Sequence, residues 1–169
     1  MKEEPTMSGH RPVLFTISVL AVLWAGLLLG VSFLATPVKF MAPSLTLPVA
    51  LDVGRQTFMV FNWVEIALAV ALIALLAGAP QRWIRGVAVA VALIVALQTL
   101  WLLPLLDARV QVILEGSTPP PSQLHTLYIA ADTVKLILLG VLGMLAFRSL
   151  GGVLYSRQDR QDRQDRQVR

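Results

Sequence analysis

Seven side chains able to do chemistry stand inside otherwise apolar runs: Asn62, Glu65, Gln98, His125, Tyr128, Asp132 and Lys135. A charge at membrane depth costs from about 3 to more than 10 kcal/mol, so such a group turns toward a bundle interior or a wet cavity. His125, Tyr128, Asp132 and Lys135 follow one another at steps of three, four and three, which places them on one stripe of a helix. Asp132 and Lys135 can pair along that stripe. Glu65 is a second carboxylate. One cation between two buried carboxylates leaves a net negative charge, which a medium of low dielectric disfavours. A proton on Glu65 or Asp132 is the cheapest remedy, because desolvation favours the neutral acid. The chemistry implied is ion or proton exchange. Glu65, Asp132 and Lys135 carry it, Asn62, Gln98, Tyr128 and His125 orient it, and Asp52 and Arg55 stand at the mouth.

Other chemistries find less support. A metal held by His125, Asp132 and Glu65 would rest on one histidine and no cysteine, a weak donor set, so the metal stays unassigned. Haem with two axial histidines has no second buried His, since His10 lies in the N-terminal segment. No cofactor is expected. No phosphate-binding loop, dinucleotide fingerprint or nucleophile triad is present, and the chain does not read as an enzyme. Two readings of the polar side chains stay open alongside a membrane redox enzyme: a site for a small cation, metal or proton-linked solute, and polar glue that fixes helix packing, as in an accessory subunit.

The elements that position these residues are legible from composition. Of 169 residues, 56% are hydrophobic and 14% charged, with a mean hydropathy of +0.72 and no cysteine. Soluble domains carry about 45–50% apolar and about 25% charged residues. The excess excludes a soluble enzyme, a disordered chain and a disulfide scaffold, and makes lipid the solvent. Runs of about 20 apolar residues cross about 30 Å of hydrocarbon as helices. Four are predicted, over 13–34, 58–77, 84–103 and 124–147, the third ending before Pro104. The fold class is all-α: an integral membrane four-helix bundle over 13–150, between an N-terminal segment, 1–12, and a tail, 151–169. The first run is too long for a signal-peptide core and lacks a small residue at the required site, so it reads as an uncleaved anchor.

Lys and Arg set the orientation. Lys2, Arg11, Arg82, Arg85 and Arg148 fall on one side; Lys39, Arg55 and Arg109 fall on the other. Both termini are therefore expected in the cytoplasm of a cell inner (plasma) membrane, with the two longer connections outside. At 1.5 Å per residue, Asn62 and Tyr128 lie about 6 Å below the outer surface, Gln98 about 6–8 Å, Glu65 about 10 Å, Asp132 about 12 Å and Lys135 about 16 Å. The polar groups thus share one outer layer, above an apolar inner half. In the first outer connection Pro37, Pro43 and Pro48 forbid one unbroken helix. Pro48 then starts an amphipathic lead-in helix at the outer surface that feeds into the second span, with Asp52, Arg55, Met59, Asn62 and Glu65 on one face. Pro119, Pro120 and Pro121 mark the other connection as an extended spacer. The small residues Gly26, Gly30, Gly140 and Gly143 read as close helix contacts.

The tail repeats Arg-Gln-Asp three times from Arg157, a low-complexity pattern expected to be disordered. With basic residues concentrated there and at span ends, a nucleic-acid partner is not expected. The partners are the lipid bilayer and, because four spans enclose little volume, further copies of the chain or a larger membrane complex.

Residues 24–58 hold a Gly-containing first span, Pro37 to Phe40 as Pro-x-x-Phe, an amphipathic segment and Gly54 to Phe58 as Gly-Arg-x-x-Phe; Leu124-His125 opens the last span. On these elements the chain resembles a small bacterial four-span family catalogued as a domain of unknown function and similar to eukaryotic transmembrane protein 205. The resemblance implies a four-helix integral membrane fold and leans toward transport or export.

Overall fold

The computed structural model describes residues 10–79 and 81–167, with side chains of the last helix described as far as Gly151. Among the described residues there is no strand. The elements are α1 (His10–Leu28), a π turn (Leu29–Ala35), α2 (Thr36–Lys39), α3 (Leu47–Leu75), a 3-10 turn (Leu76–Gly78), α4 (Arg82–Leu97), a second π turn (Gln98–Leu102), α5 (Leu103–Leu114) and α6 (Leu124–Gln167). Continuous helix over His10–Lys39, Leu47–Gly78, Arg82–Leu114 and Leu124–Gly151 gives four spans, each long and apolar enough to cross a membrane. Each runs antiparallel to the next, and the first packs against both the second and the fourth, closing an up-down-up-down bundle.

Every span buries a stripe at three- and four-residue steps: Leu14, Ile17, Ala21, Trp24 and Leu28 on the first, and Ile84, Ala88, Val91, Val95, Gln98 and Leu102 on the third. The fourth buries Tyr128, Asp132, Lys135, Leu139, Leu142 and Ala146 in the same rhythm. That period keeps one face toward the bundle axis, as knobs-into-holes packing requires. Large apolar side chains such as Val22, Val70, Leu93 and Ile137 cover the exterior, where lipid is their solvent.

Two prolines behave differently from expectation, for one physical reason. The third helix does not end before Pro104 but runs on to Leu114, and the first continues through Pro37 to Lys39. In a regular helix the pyrrolidine ring strikes the carbonyl four residues back and leaves it without a donor. Here each proline follows a π turn, in which Thr36 N–H bonds to Val31 O and Leu103 N–H to Gln98 O, five residues back. The wider turn takes up the mismatch, so the helix carries on.

The segment from Pro48 is helical and feeds into the second span, as its spacing implies, as one helix with it rather than as a lead-in along the surface. Pro48 sits in the first turn of α3, which continues unbroken to Leu75 because nothing between them interrupts the backbone ladder. The break in the first connection falls at residues 40–46 instead. α5 ends where Gly116 adopts φ 84°. Gly116 N–H then reaches Ile113 O and Ser117 N–H reaches Val112 O, both at 3.0 Å, the paired closure that a left-handed residue permits. Arg109 ties the following proline spacer down by donating to Pro120 O at 2.6 Å, and Ser122 Oγ accepts from Leu124 N–H to start α6.

The opposite end of the bundle is closed by the turn after α3. Arg85 Nε donates to Ala79 O at 2.8 Å, and a Cβ at Gly78 would meet Val13 at 2.9 Å, so only glycine lets that turn seat against the first span. Gly143 packs on Ala21 and Val22, and Ser18 Oγ donates to Gly143 O at 3.1 Å. Gly26, Gly30 and Gly140 have open space beside them and are not packing contacts within this chain, since they fall off the buried stripes. α6 runs to Gln167, into the repeat tail. The tail's side chains, and residues 1–9 of the N-terminal segment, lie outside the described residues.

Candidate functional site

Five buried side chains from all four spans meet at one level: Trp24, Glu65, Gln98, Asp132 and Lys135, none more than 2% exposed. Lys135 lies at the centre. Its Nζ is 2.6 Å from Glu65 Oε1 and 2.8 Å from Oε2, 2.7 Å from Gln98 Oε1 and 3.0 Å from Asp132 Oδ1. An ammonium has three donors, and here they serve three residues. The surrounding groups are satisfied in turn. Trp24 Nε1 donates to Glu65 Oε1 at 3.0 Å, and Gln98 Nε2 donates to Asp132 Oδ1 at 2.8 Å. The amide of Gln98 therefore uses both its ends, accepting from the cation and donating to its counter-ion. Formally the cluster holds two carboxylates and one ammonium.

Glu65, Gln98, Asp132 and Lys135, singled out from the sequence, are brought together, and Lys135 bridges both carboxylates. Trp24 was not expected there. An indole counts as apolar in any hydropathy reading, and its N–H shows no charge signal. Its mid-span place, while Trp63, Trp83 and Trp101 stand toward span ends, was the available clue.

Asn62, Tyr128, His125 and Arg55 do not join the cluster. They line a separate cavity of about 590 Å³ beside the 40–46 connection, bounded by α2, the first half of α3, α5 and the start of α6. Most of its wall is carbon: Phe40, Leu51, Phe58, Met59, Ile66 and Leu103 among others. Thr99 Oγ1 donates to Asn62 Oδ1 at 2.8 Å, joining the second and third spans at the cavity wall. Tyr128 is buried with its ring edge-on to Phe58, centroids 5.4 Å apart. Asn62 precedes Glu65 by three residues and Tyr128 precedes Asp132 by four, so the cavity stands one helical turn from the cluster on two spans at once.

Arg55 spans two carboxylates at the mouth, at 3.4 Å from Asp52 and 3.4 Å from Asp107. Asp52 pairs with Arg55 but does not line the cavity; Asp107, brought in because the third helix passes Pro104, does. Lys39 also lines it, carried there by the helix through Pro37. His125 is exposed at the rim. It is not near Asp132 and Glu65, and among the described residues no three His, Cys, Asp or Glu side chains are grouped to hold a metal. The conceivable metal set fails because both carboxylates are turned to Lys135. Ser32, the polar residue of the first π turn, has a buried hydroxyl with no hydrogen bond among the described residues.

Four apolar helices locked by an internal ion cluster define a multi-pass integral membrane protein. The chain belongs to the family described as domain of unknown function DUF4149, whose profile matches residues 19–111, more than half of its length. That stretch holds Trp24, Lys39, Arg55, Asn62, Glu65, Gln98, Thr99 and Asp107, and ends before the fourth span with Tyr128, Asp132 and Lys135. No curated protein and no solved structure matches the chain.

Proposed function

We propose that the protein handles a small solute at the inner (plasma) membrane, with the cavity as the solute's seat and the charged cluster as a proton-linked element beneath it. The observation that carries this reading is the stacking: a cavity of about 590 Å³, within the ~300–1,000 Å³ usual for ligand pockets, one turn from a buried cluster with one carboxylate more than its ammonium can balance. The asymmetry of Lys and Arg across the spans supports both termini in the cytoplasm, which turns the cavity outward. A bare cation or a metal is the weaker form of the reading, because Lys135 Nζ already fills the place between the carboxylates that a bound cation would take. Four spans leave no room for a full pathway, so a homo-oligomer or a larger complex completes it. The role proposed is not enzymatic.

Proton linkage is tested by titrating the carboxylic-acid infrared band of the reconstituted protein against pH. The groups facing the titrating pair are Lys135, Gln98 and Trp24. A band that grows on acidification, and that disappears in Glu65→Gln or Asp132→Asn, is the expected result. No such band in the wild type overturns the proton-linked reading.

The second reading, a scaffold or accessory subunit, is favoured by the cluster's tight pairing: it ties all four spans together as a packing lock needs. It expects Glu65→Gln to lower the amount of protein or of its partner in the membrane. The solute reading expects that amount to hold.

A further inference from the structure

The mouth of the cavity holds one cation with counter-ions and one without. Arg55 reaches Asp52 and Asp107, and its Nε is closed off inside the protein, as is Asp52 Oδ1, neither hydrogen-bonded among the described residues. Lys39 presents an ammonium with no carboxylate in ion-pair range among the described residues. Its Nζ rests on Gly54, where a Cβ would collide with it, and lies 5.0 Å from the Phe40 ring centroid. Gly54 and Lys39 both line the cavity, so this ammonium stands at its wall. A bound anion would supply the charge-assisted acceptor that it lacks there. Away from that corner the wall turns apolar through Phe58, Met59 and Ile66. Several wall residues are well exposed, among them Phe40 at 49%, Met59 at 46% and Trp63 at 68%. The cavity is therefore open to its surroundings rather than enclosed.

We infer that the cavity binds a single-chain amphiphile with an anionic head, its carboxylate or phosphate oxygens accepting from Lys39 Nζ and its apolar body lying along Phe58, Met59 and Ile66. This rests on the cavity being a solute site and adds the chemical class of the solute. The same head can arrive from the bilayer on a long-chain fatty acid or from water on a short one.

The test is equilibrium binding to the full chain in phosphatidylcholine nanodiscs, using oleate, octanoate and the neutral oleyl alcohol as probes. At least one acid binds, and Lys39→Gln weakens it about tenfold or more, the equivalent of one charge-assisted contact. The alcohol binds less tightly and does not respond to that change. Gly54→Ala, which pushes the ammonium off its seat without removing it, weakens the acid as well and guards against a folding artefact in Lys39→Gln. Tighter oleate assigns the bilayer as source; tighter octanoate assigns the aqueous side. Equal binding of acid and alcohol with no effect of Lys39→Gln overturns the anionic head while leaving the cavity as a solute site. No binding of any probe by the wild type overturns the inference. Neither result bears on the infrared titration, which judges the proton-linked element separately.

Discussion

Two adjoining regions of this bundle treat polar groups in opposite ways. In the cluster around Lys135, ammonium, indole and amide all find partners within 3.0 Å, and no side chain is more than 2% exposed. One turn away, around Arg55 and Lys39, Arg55 Nε and Asp52 Oδ1 make no hydrogen bond among the described residues, contacts stretch to 3.4 Å and a cavity opens beside them. Buried charges need hydrogen-bonded partners, and those of the first region, already engaged with one another, leave no place for a guest. The second keeps unused bonding capacity, and unused capacity is what a ligand site needs. The difference separates what holds the helices from what is available to a guest.

Removing the centre of the closed region strains the contrast most. Lys135→Met leaves two carboxylates facing one another without a cation, and breaking a buried pair from one side costs about 3–5 kcal/mol. Equilibrium unfolding in bicelles reads the loss directly. Acidification narrows the gap to wild type, because protons then supply the missing positive charge. If the variant is as stable as the parent, the cluster does not hold the bundle. Trp24→Phe is a milder probe. It keeps an aromatic ring but loses part of the indole's buried volume along with one donor to a charged acceptor, and the donor alone is worth about 1.5–3 kcal/mol. The same unfolding measurement checks it, and a loss near zero would mean that Lys135 alone satisfies Glu65. Thr99→Val, at the cavity wall, removes the hydrogen bond to Asn62. Interhelical bonds in membranes average about 0.6 kcal/mol, so the expected shift is small. A penalty as large as that of Trp24→Phe would erase the distinction between the two regions.

The sequence exposes the closed region better than the open one, and the physics explains why. Glu65, Gln98, Asp132 and Lys135 stand out because each interrupts an apolar run, and antiparallel helices of known rise convert residue number into height. Trp24 gave no such interruption. The open region was read only in part. Arg55, Asn62, Tyr128 and His125 were assigned to it or to its neighbour, but Lys39 and Asp107 reach the cavity only because two helices outlast their prolines. A proline inside a periodic run argues for an end, and the one-residue excess that rescues the helix leaves no compositional trace. The separation of cavity from cluster was equally hidden, since residues three or four apart share a stripe whether or not a wall divides them.

The paired wide turns before Pro37 and Pro104 have a consequence for the chain's tolerance of insertions and deletions. Each takes up one extra residue without adding a turn, so the helix beyond it keeps the angular phase it would have without that residue. Deleting one residue from Leu29–Ala35 would restore ideal winding and leave Lys39 facing Gly54, but would bring the Pro37 ring back against a carbonyl. A deletion in the regular helix ahead of the wide turn, with that turn kept, would instead rotate Lys39 by about 100°. These two stretches are therefore where the chain can lose a residue and keep its aim, at the cost of a proline it can no longer seat.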